Sequence, residues 1–168
     1  MGGGLADGSR DMDGAEVSEI ISLKINSEGG LMFIERIKQG GSLYITRIRL
    51  TPTTPWGWLQ LHIFSRGDTS EDLHDHPFDF WTFPLHNYAE EVGARVGKRF
   101  IKIVNFVERF RWHYRLSTYT HRVIGRTPVG LNDPLWTLIW RTHKYREWGF
   151  FEDGEKIPWQ EYYQKHNI

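Results

Sequence analysis

Alternating apolar and polar positions run through most of the chain and predict β-strands rather than helices. Between residues 43 and 50, side chains two apart would share a face, which places Arg47 and Arg49 together on one side of a strand. The segment Trp58–Phe64 repeats this period and places His62 on the same face as its aromatic ends. His62 is therefore a candidate interior hydrogen-bonding group or acid–base group.

The remaining strand candidates are short, rich in β-branched or aromatic residues and bounded by turn signals. They begin at Leu31 and cover residues 78–83, 99–107, 110–116, 121–124, 135–140 and 146–151. The segment from Val17 allows either a short helix or a first strand. Only the last residues, from Pro158, predict a helix, because proline suits the first helical turn. Many short strands with almost no helix predict an all-β sandwich or closed barrel.

Length and composition limit the organisation of the chain. The 168 residues suffice for one domain with a sizeable core but not for two ordinary domains. Residues 1–16 are rich in Gly and Asp and have almost nothing apolar to bury. We therefore expect a flexible tail over residues 1–16 and a single domain over residues 17–168.

Charge and hydropathy argue against several classes of partner. Lys plus Arg and Asp plus Glu number 21 each, so no overall basic field attracts nucleic acid or an anionic membrane. No uncharged apolar run approaches the roughly 20 residues of a membrane span, and no signal-peptide core is evident. We expect a cytoplasmic protein whose partner is a small-molecule substrate. Because the chain has no cysteine, a metal site would use histidine and carboxylate ligands.

Two histidines separated by one residue are the most informative feature of the sequence. In LeuHisAspHisPro, His74 and His76 would share one face of a strand and present two imidazoles to one ion. An HxH pair alone is a weak signal. His121, in ThrTyrThrHisArgVal, strengthens it because it lies where a neighbouring strand would begin. The pattern predicts a metal site formed by His74, His76 and His121.

These motifs resemble the cupin superfamily, whose first motif carries HxH followed by a carboxylate and whose second motif carries another histidine. The resemblance covers about residues 43–159, and four segments are similar to those of a group of small cupin-like proteins: LeuHisAspHisProPheAspPheTrp, ThrHisArgVal, TrpThrLeuIleTrp and ArgGluTrpGlyPhe. It implies an all-β cupin-type double-stranded β-helix, or jelly-roll barrel, with a short C-terminal helix. It also implies an ion bound inside the mouth of the barrel.

The glutamate of the first cupin motif is missing. It would stand at position 80 or 81, where this chain has Phe80 and Trp81. Asp79 is one residue short of that place and would face away from His76 unless Pro77 shifts the register. We therefore expect a three-histidine site with open coordination positions, similar to that of the thiol dioxygenases of this superfamily.

Three neutral imidazoles suit Fe(II), Zn(II), Ni(II) or Mn(II), and we favour Fe(II). The resemblance implies a metal-dependent enzyme, with a non-haem iron dioxygenase or hydroxylase acting on a small polar substrate as the leading hypothesis. Two alternatives stay open. One is an isomerase, lyase or hydrolase with a redox-inactive ion and His62 as its catalytic base. The other is a non-catalytic binding or structural protein.

Several charged residues allow two interpretations. Asp72 and Asp75 either orient an imidazole of the site or lie in a solvated loop. Arg47 and Arg49 either bind a carboxylate or phosphate group or coat the exterior of the barrel.

The remaining aromatic and histidine residues point mainly to structure. Trp148 and Phe150 would close the pocket or, as we favour, fill the core. A homodimer formed through an exchanged edge strand over residues 31–36 is a further expectation. Four histidines without a spaced partner are expected at the surface, namely His86, His113, His143 and His166.

Overall fold

The computed structural model of the chain describes residues 16–24, 31–39, 41–96, 99–126 and 133–166. The predicted tail lies outside these ranges except for Glu16, which begins the first strand. The division into a tail and a single domain therefore stays a prediction.

Thirteen strands and one helix make up the regular structure of the described residues. In chain order they are β1 (Glu16–Lys24), β2 (Leu31–Gln39), β3 (Ser42–Arg49), β4 (Trp58–Phe64), β5 (Leu73–His74), β6 (Phe80–Pro84), β7 (Tyr88–Val96), β8 (Arg99–Val107), β9 (His113–Arg115), β10 (His121–Gly125), β11 (Leu135–Arg141), β12 (Gly149–Glu152), β13 (Glu155–Pro158) and α1 (Trp159–His166). The predicted all-β class and the short C-terminal helix are confirmed.

The strands form two antiparallel sheets. One sheet has the order β1-β2-β3-β4-β11-β6-β9, and the other has the order β13-β12-β5-β10-β7-β8. Each sheet combines strands from early and late parts of the chain, with β11 beside β4 in the first and β10 beside β5 in the second. This exchange of strands between two sheets is the connectivity of a jelly roll.

The core lies between the two sheets. Tyr88, Val107 and Val123 from the six-stranded sheet form one buried cluster with Leu135 from the seven-stranded sheet. Each fully buried apolar side chain of this size contributes about 1.5–3 kcal/mol relative to exposure. Because the cluster joins β7, β8 and β10 to β11, it holds the two sheets face to face.

Strand bounds agree with the sequence pattern where the alternation is regular. Strands β4 and β8 have the predicted bounds, and the segment from Val17 is a strand. The candidate at residues 110–116 is shorter, because Phe110 has a φ of 58°, in the left-handed region, and extended backbone resumes only at His113. Strand β7 was not among the predicted strands.

The expected edge strand over residues 31–36 is not an edge. These residues belong to β2, which pairs with β1 on one side and with β3 on the other. The homodimer itself stays a prediction, but the prediction that β2 offers a free edge is wrong.

The C-terminal helix packs against the six-stranded sheet. Tyr162 of α1 stacks on Phe150 of β12 with ring centroids 3.9 Å apart, and both rings belong to a buried cluster with Trp148. Among the described residues, we find no helix that is long and apolar enough to cross a bilayer.

Gly57 makes the closest backbone approach at the start of β4 and provides a test of the fold. Its φ is +122°, and a Cβ atom there would lie 2.0 Å from the carbonyl oxygen of Arg141. We expect Gly57→Ala to lower the free energy of unfolding by about 3 kcal/mol, measured by urea denaturation. Gly41→Ala is the control, because its φ is +76° but no atom lies within 4 Å of the added Cβ. Equal losses in the two variants would contradict the close approach at Gly57.

Candidate metal site

The structure brings His74, His76 and His121 together. Their ring centroids lie 5.2 Å (His74 to His76), 5.2 Å (His74 to His121) and 5.0 Å (His76 to His121) apart. The Nε2 atoms of His76 and His121 are 2.9 Å apart, and one nitrogen from each ring lies within 4.8 Å of the others. The three ring centroids therefore form a nearly equilateral triangle, and one nitrogen of each ring lies near those of the other two.

Strand pairing places two of these histidines side by side. His74 of β5 lies directly opposite His121 of β10 in an antiparallel pair, so both side chains leave the same face of the sheet. The two residues are far apart in the sequence, and only this non-local pairing makes them neighbours.

His76 reaches the site from beyond the end of a strand, which corrects the prediction that His74 and His76 share one strand. Strand β5 ends at His74. The next two backbone amides donate to different segments: Asp75 N to Gly149 O at 3.1 Å and His76 N to Ser117 O at 2.9 Å. Because the donors diverge in this way, the ladder with β12 ends before His76.

A carboxylate that the sequence analysis missed orients His121. Nδ1 of His121 donates to Glu90 Oε2 at 2.7 Å, and Glu90 has no exposed side-chain surface. With Nδ1 donating to Glu90, the ring presents Nε2 to His76, whose Nε2 lies 2.9 Å away. A carboxylate behind a histidine ligand is the arrangement that commonly fixes ring orientation in metal sites.

Glu90 is held as a carboxylate by three further donors. Oε1 accepts hydrogen bonds from Tyr119 Oη at 2.6 Å, Asn105 Nδ2 at 2.9 Å and Arg115 Nη2 at 3.0 Å. Burial alone would raise the pKa of Glu90, but the hydrogen bond and charge of His121 and the charge of Arg115 outweigh it and lower the pKa to about 2. The group is therefore an anion at neutral pH.

A signal for Glu90 does exist in the sequence. Tyr88, Glu90 and Val92 are two apart, so Glu90 stands in phase with apolar residues of a strand. A carboxylate in that phase is either paired or functional, because an unpaired buried charge is very costly.

A cavity of about 110 Å³ lies against the three imidazoles between the two sheets. Its walls are mainly apolar, with Phe64, Phe80 and Ile139 among them, and its polar groups include Thr82 and Thr137. A second cavity of about 90 Å³ adjoins it, and the residues that line both are Tyr44, Arg47, His74, His76 and Phe78. We call the first cavity the inner cavity and the second the outer cavity.

His62 lies in the wall of the inner cavity, as its strand phase predicts. Its Nε2 is 3.1 Å from Gln60 Oε1. Burial lowers the pKa of His62 well below its ordinary value, and the charges of Arg47 and Arg141 lower it further. Its catalytic role stays a prediction.

The pKa of His76 is also lowered well below its ordinary value, mainly by burial. The charges of His121 and His74 lower it further, and those of Arg47 and Arg141 add to the effect. Neutral imidazole is the form that binds a metal ion.

Asp75 is buried, so the solvated-loop interpretation is wrong for this residue. It is 1% exposed, and its Oδ2 lies 2.9 Å from Arg146 Nη1 and 2.8 Å from Lys156 Nζ. Its Oδ1 accepts from the Gly149 amide at 2.8 Å. Arg146 also donates to the carbonyl oxygen of His76 at 3.3 Å. Asp75 therefore fixes the backbone that carries His74 and His76 and does not bind their rings.

Asp79 and Asp72 have structural partners. Asp79 accepts hydrogen bonds from the Ser117 amide at 2.6 Å and from Tyr145 Oη at 2.6 Å, while Asp72 accepts from Tyr162 Oη at 2.9 Å. Among the described residues, no carboxylate belongs to the group formed by the three histidines.

The two arginines of β3 have different surroundings. Arg47 lines both cavities, and its Nη1 lies 3.3 Å from Glu35 Oε2. Arg49 lies over the rings of Phe33 and Trp58, at 4.8 Å and 5.1 Å, and donates to Thr53.

Trp148 and Phe150 both fill the core and line the outer cavity. Their rings lie 6.1 Å and 5.8 Å from that of His74. Both interpretations of these two residues therefore hold at once.

The remaining histidines lie outside the three-histidine group. His113 is in β9 and contacts Glu108 O, His143 contacts Thr54 O, and His86 accepts from Trp136 N. His166 pairs with Glu152, and these two residues and Asp72 form a second group of ligand atoms, in which Glu152 is also paired with Lys165.

The three-histidine group suits a divalent ion. Two nitrogen ligands at about 2.1 Å from an ion, on adjacent octahedral positions, would be about 3.0 Å apart. The 2.9 Å separation of the Nε2 atoms of His76 and His121 agrees with this spacing. His74, His76 and His121 would hold the ion through one ring nitrogen each.

Comparisons with known proteins extend this description. No protein-family model matches the sequence, and no curated protein matches it. Among solved structures, the crystal structure of Fe(II) HppE is similar at a TM-score of 0.51 and 8% identity, covering 76% of this chain and 63% of that one. Fe(II) HppE with the alternative substrate (S)-1-HPP has a TM-score of 0.50 and 11% identity, and the match covers 75% of this chain and 60% of that one. A cupin-2 domain protein from Rhodospirillum rubrum has a TM-score of 0.49 and 13% identity, and the match covers 89% of this chain and 90% of that one.

The similarity at these identities concerns the fold. The predicted cupin-type double-stranded β-helix is confirmed as the fold of this chain. The chain spans 63% and 60% of the length of the two HppE chains, so the activity of that whole protein is not carried over.

Replacement of Glu90 tests the buried carboxylate through pH. Because its pKa is lowered from 4.5 to about 2, its stabilising effect is complete above about pH 5 and is lost as the pH falls towards 2. This difference corresponds to stabilisation on the order of 3 kcal/mol. We expect urea unfolding of the metal-free protein to show a steeper loss of stability over this pH range in the wild type than in Glu90→Gln.

Glu91→Gln is the matched control for that experiment. Glu91 is the next residue on β7 but is partly exposed and pairs with Arg122 at 2.6 Å. Its replacement should leave most of the pH dependence in place. Parallel profiles for the wild type and Glu90→Gln would contradict the buried anion.

Proposed function

We propose that this chain is a mononuclear metal enzyme in which His74, His76 and His121 bind one divalent ion. The favoured chemistry is that of a non-haem iron dioxygenase or hydroxylase acting on a small polar substrate. The observation that carries the proposal is the convergence of three imidazole nitrogens, one of whose rings is oriented by the buried Glu90. A carboxylate behind a histidine ligand commonly fixes the orientation of the ring in metal sites.

Iron is favoured by the fold comparison, and the ligands are compatible with it. Three imidazole ligands suit Fe(II) as well as Zn(II) or Ni(II), so they allow iron without selecting it. The similar HppE structures contain Fe(II) by their own description, in the same fold. The fold similarity supports iron without carrying over the reaction.

The chain's own residues would prepare the site for such a reaction. A bound iron ion would supply oxygen activation. The apolar wall of the inner cavity, with Phe64, Phe80 and Ile139, would keep bulk water from the reacting atoms. Arg47, Thr82 and Thr137 would orient the polar groups of the substrate.

A redox-inactive ion with His62 as a base is the second candidate. It is supported by the position of His62 in the same cavity as the three ligands. The lowered pKa of His62 makes its imidazole a weak base, which favours the iron chemistry over this candidate.

Metal content is the direct test of the proposal. We expect elemental analysis of protein purified without an affinity metal column to find about one divalent ion per chain. His74→Ala/His121→Ala should lose it. His166→Ala, which removes a member of the second ligand group, should keep it.

The identity of the ion then separates the candidates. Iron would support the oxygenase and justify oxygen-consumption screens, whereas zinc or nickel would favour the redox-inactive alternative. No ion in the wild type, and no uptake on reconstitution, would overturn the proposal and leave a binding or structural barrel.

Glu90 also gives a quantitative test of metal binding. Since partners behind a histidine ligand typically affect metal affinity by about 10- to 100-fold, we expect Glu90→Gln to weaken binding by that factor. Competition with a chromophoric chelator measures the affinity, and Glu91→Gln should bind as the wild type does. An unchanged affinity in Glu90→Gln would show that His121 does not depend on the carboxylate.

A further inference from the structure

The walls of the inner cavity carry positive and neutral groups. Among the described residues that line it are Arg47 and four histidines, His62, His74, His76 and His121, and no aspartate or glutamate. Glu90 lies behind His121 and already has its hydrogen bonds within the fold. A cavity of this composition favours an anion, and a divalent ion at the histidines would strengthen that preference.

Arg47 is the cation in this wall. It lies on β3, and it lines the inner and outer cavities together with His74 and His76. Arg47 lies directly opposite His62 in the pairing of β3 with β4, which agrees with the place of both residues in the cavity wall.

The ion pair of Arg47 with Glu35 is a long one. The Nη1–Oε2 distance is 3.3 Å, longer than the roughly 2.7–2.9 Å of a close guanidinium–carboxylate hydrogen bond. Glu35 approaches from β2, the strand beside β3, and is part-exposed. A ligand carboxylate inside the cavity can therefore compete for the guanidinium fork.

The geometry points to a small organic carboxylate as the ligand of the cavity, with its carboxylate on Arg47 and its remaining atoms against His74, His76 and His121. This inference names the substrate class and rests on the proposed function for its catalytic meaning. The cavity volume of about 110 Å³ limits the size of the ligand to a few non-hydrogen atoms, since pockets for drug-sized molecules have roughly 300–1,000 Å³.

A carboxylate suits this wall better than a phosphate group. One guanidinium matches the two oxygens of a carboxylate in a bidentate pair. A phosphate carries more charge and three acceptor oxygens, and proteins usually bind it with several cations or a series of backbone amides. The described lining of the inner cavity offers a single arginine and no lysine.

Binding of matched probes to the metal-free chain tests this inference separately from metal binding. Propionate and propionamide have the same number of non-hydrogen atoms but differ in charge. We expect NMR titration to show propionate binding at least tenfold more tightly than propionamide, with shifts at residues of the cavity. Inorganic phosphate, as the third probe, should bind more weakly than propionate.

Variants of the arginines identify the group responsible. Arg47→Gln should weaken propionate binding about tenfold or more, the scale of a lost charged hydrogen bond. Arg49→Gln is the matched control, because Arg49 is on the same strand but lies against Phe33 and Trp58. Glu35→Gln should strengthen binding, since it removes the competing carboxylate.

Each outcome decides the inference. If Arg47→Gln does not fold, as judged by its circular dichroism, Arg47→Lys replaces it, because lysine keeps the charge but loses the bidentate fork and should still weaken propionate binding. Glu35→Gln then tests the same contact by the expected gain in affinity. Equal binding of propionate and propionamide, tighter binding of phosphate, or wild-type affinity in the Arg47 variant would overturn it. A chain that binds propionate through Arg47 but takes up no metal would refute the proposed function alone.

Discussion

The hydrogen bond between the buried carboxylate of Glu90 and the ring of His121 is the contact on which the site depends. An unpaired anion with no exposed surface would cost several kcal/mol, so the fold must bring donors to it. Four side chains donate to it: His121 from β10, Asn105 from β8, Arg115 from β9 and Tyr119 from the loop between β9 and β10. Arg115 belongs to the seven-stranded sheet and Glu90 to the six-stranded sheet, so the same group that orients a histidine also joins the two sheets.

A second buried carboxylate, that of Asp75, supports the site through the backbone. Asp75 holds Arg146, Lys156 and the Gly149 amide, and thereby fixes the segment between His74 and His76 to the strands before the C-terminal helix. Glu90 orients the ring of His121, whereas Asp75 holds the backbone between His74 and His76. With both in place, the three imidazoles have their positions before any ion arrives, which lowers the free-energy cost of assembling the site.

The sequence predicted the parts of this arrangement that have a local signature. Strand periodicity gave the all-β class and the interior phase of His62, and the HxH spacing with His121 gave the three residues that meet. The partners of these residues depend on pairing between distant strands, which periodicity cannot supply. The first cupin motif would place a glutamate at position 80 or 81, whereas the carboxylate of this site belongs to Glu90. This glutamate lies behind a histidine and on β7, a strand that the alternation did not predict.

The predicted geometry near the first motif failed for a related reason. A regular strand through His74 and His76 is the simplest interpretation of HxH, but the hydrogen bonds of the Asp75 and His76 amides to Gly149 and Ser117 divide that segment between two partners. Such a division is a property of the assembled barrel. Likewise, Arg47 and Arg49 look equivalent in the alternation, and only the packing of Phe33 and Trp58 separates their surroundings.

The approach of His76 to His121 has a consequence for the chain as a polymer. Coordination of one ion by His76 and His121 would close a loop between residues that are 45 positions apart. This chain has no cysteine, so disulfides cannot restrict its unfolded state. A bound ion would act as a reversible cross-link in their place. Loss of the ion would remove the reactive centre and would also restore the conformational entropy of that loop in the unfolded chain.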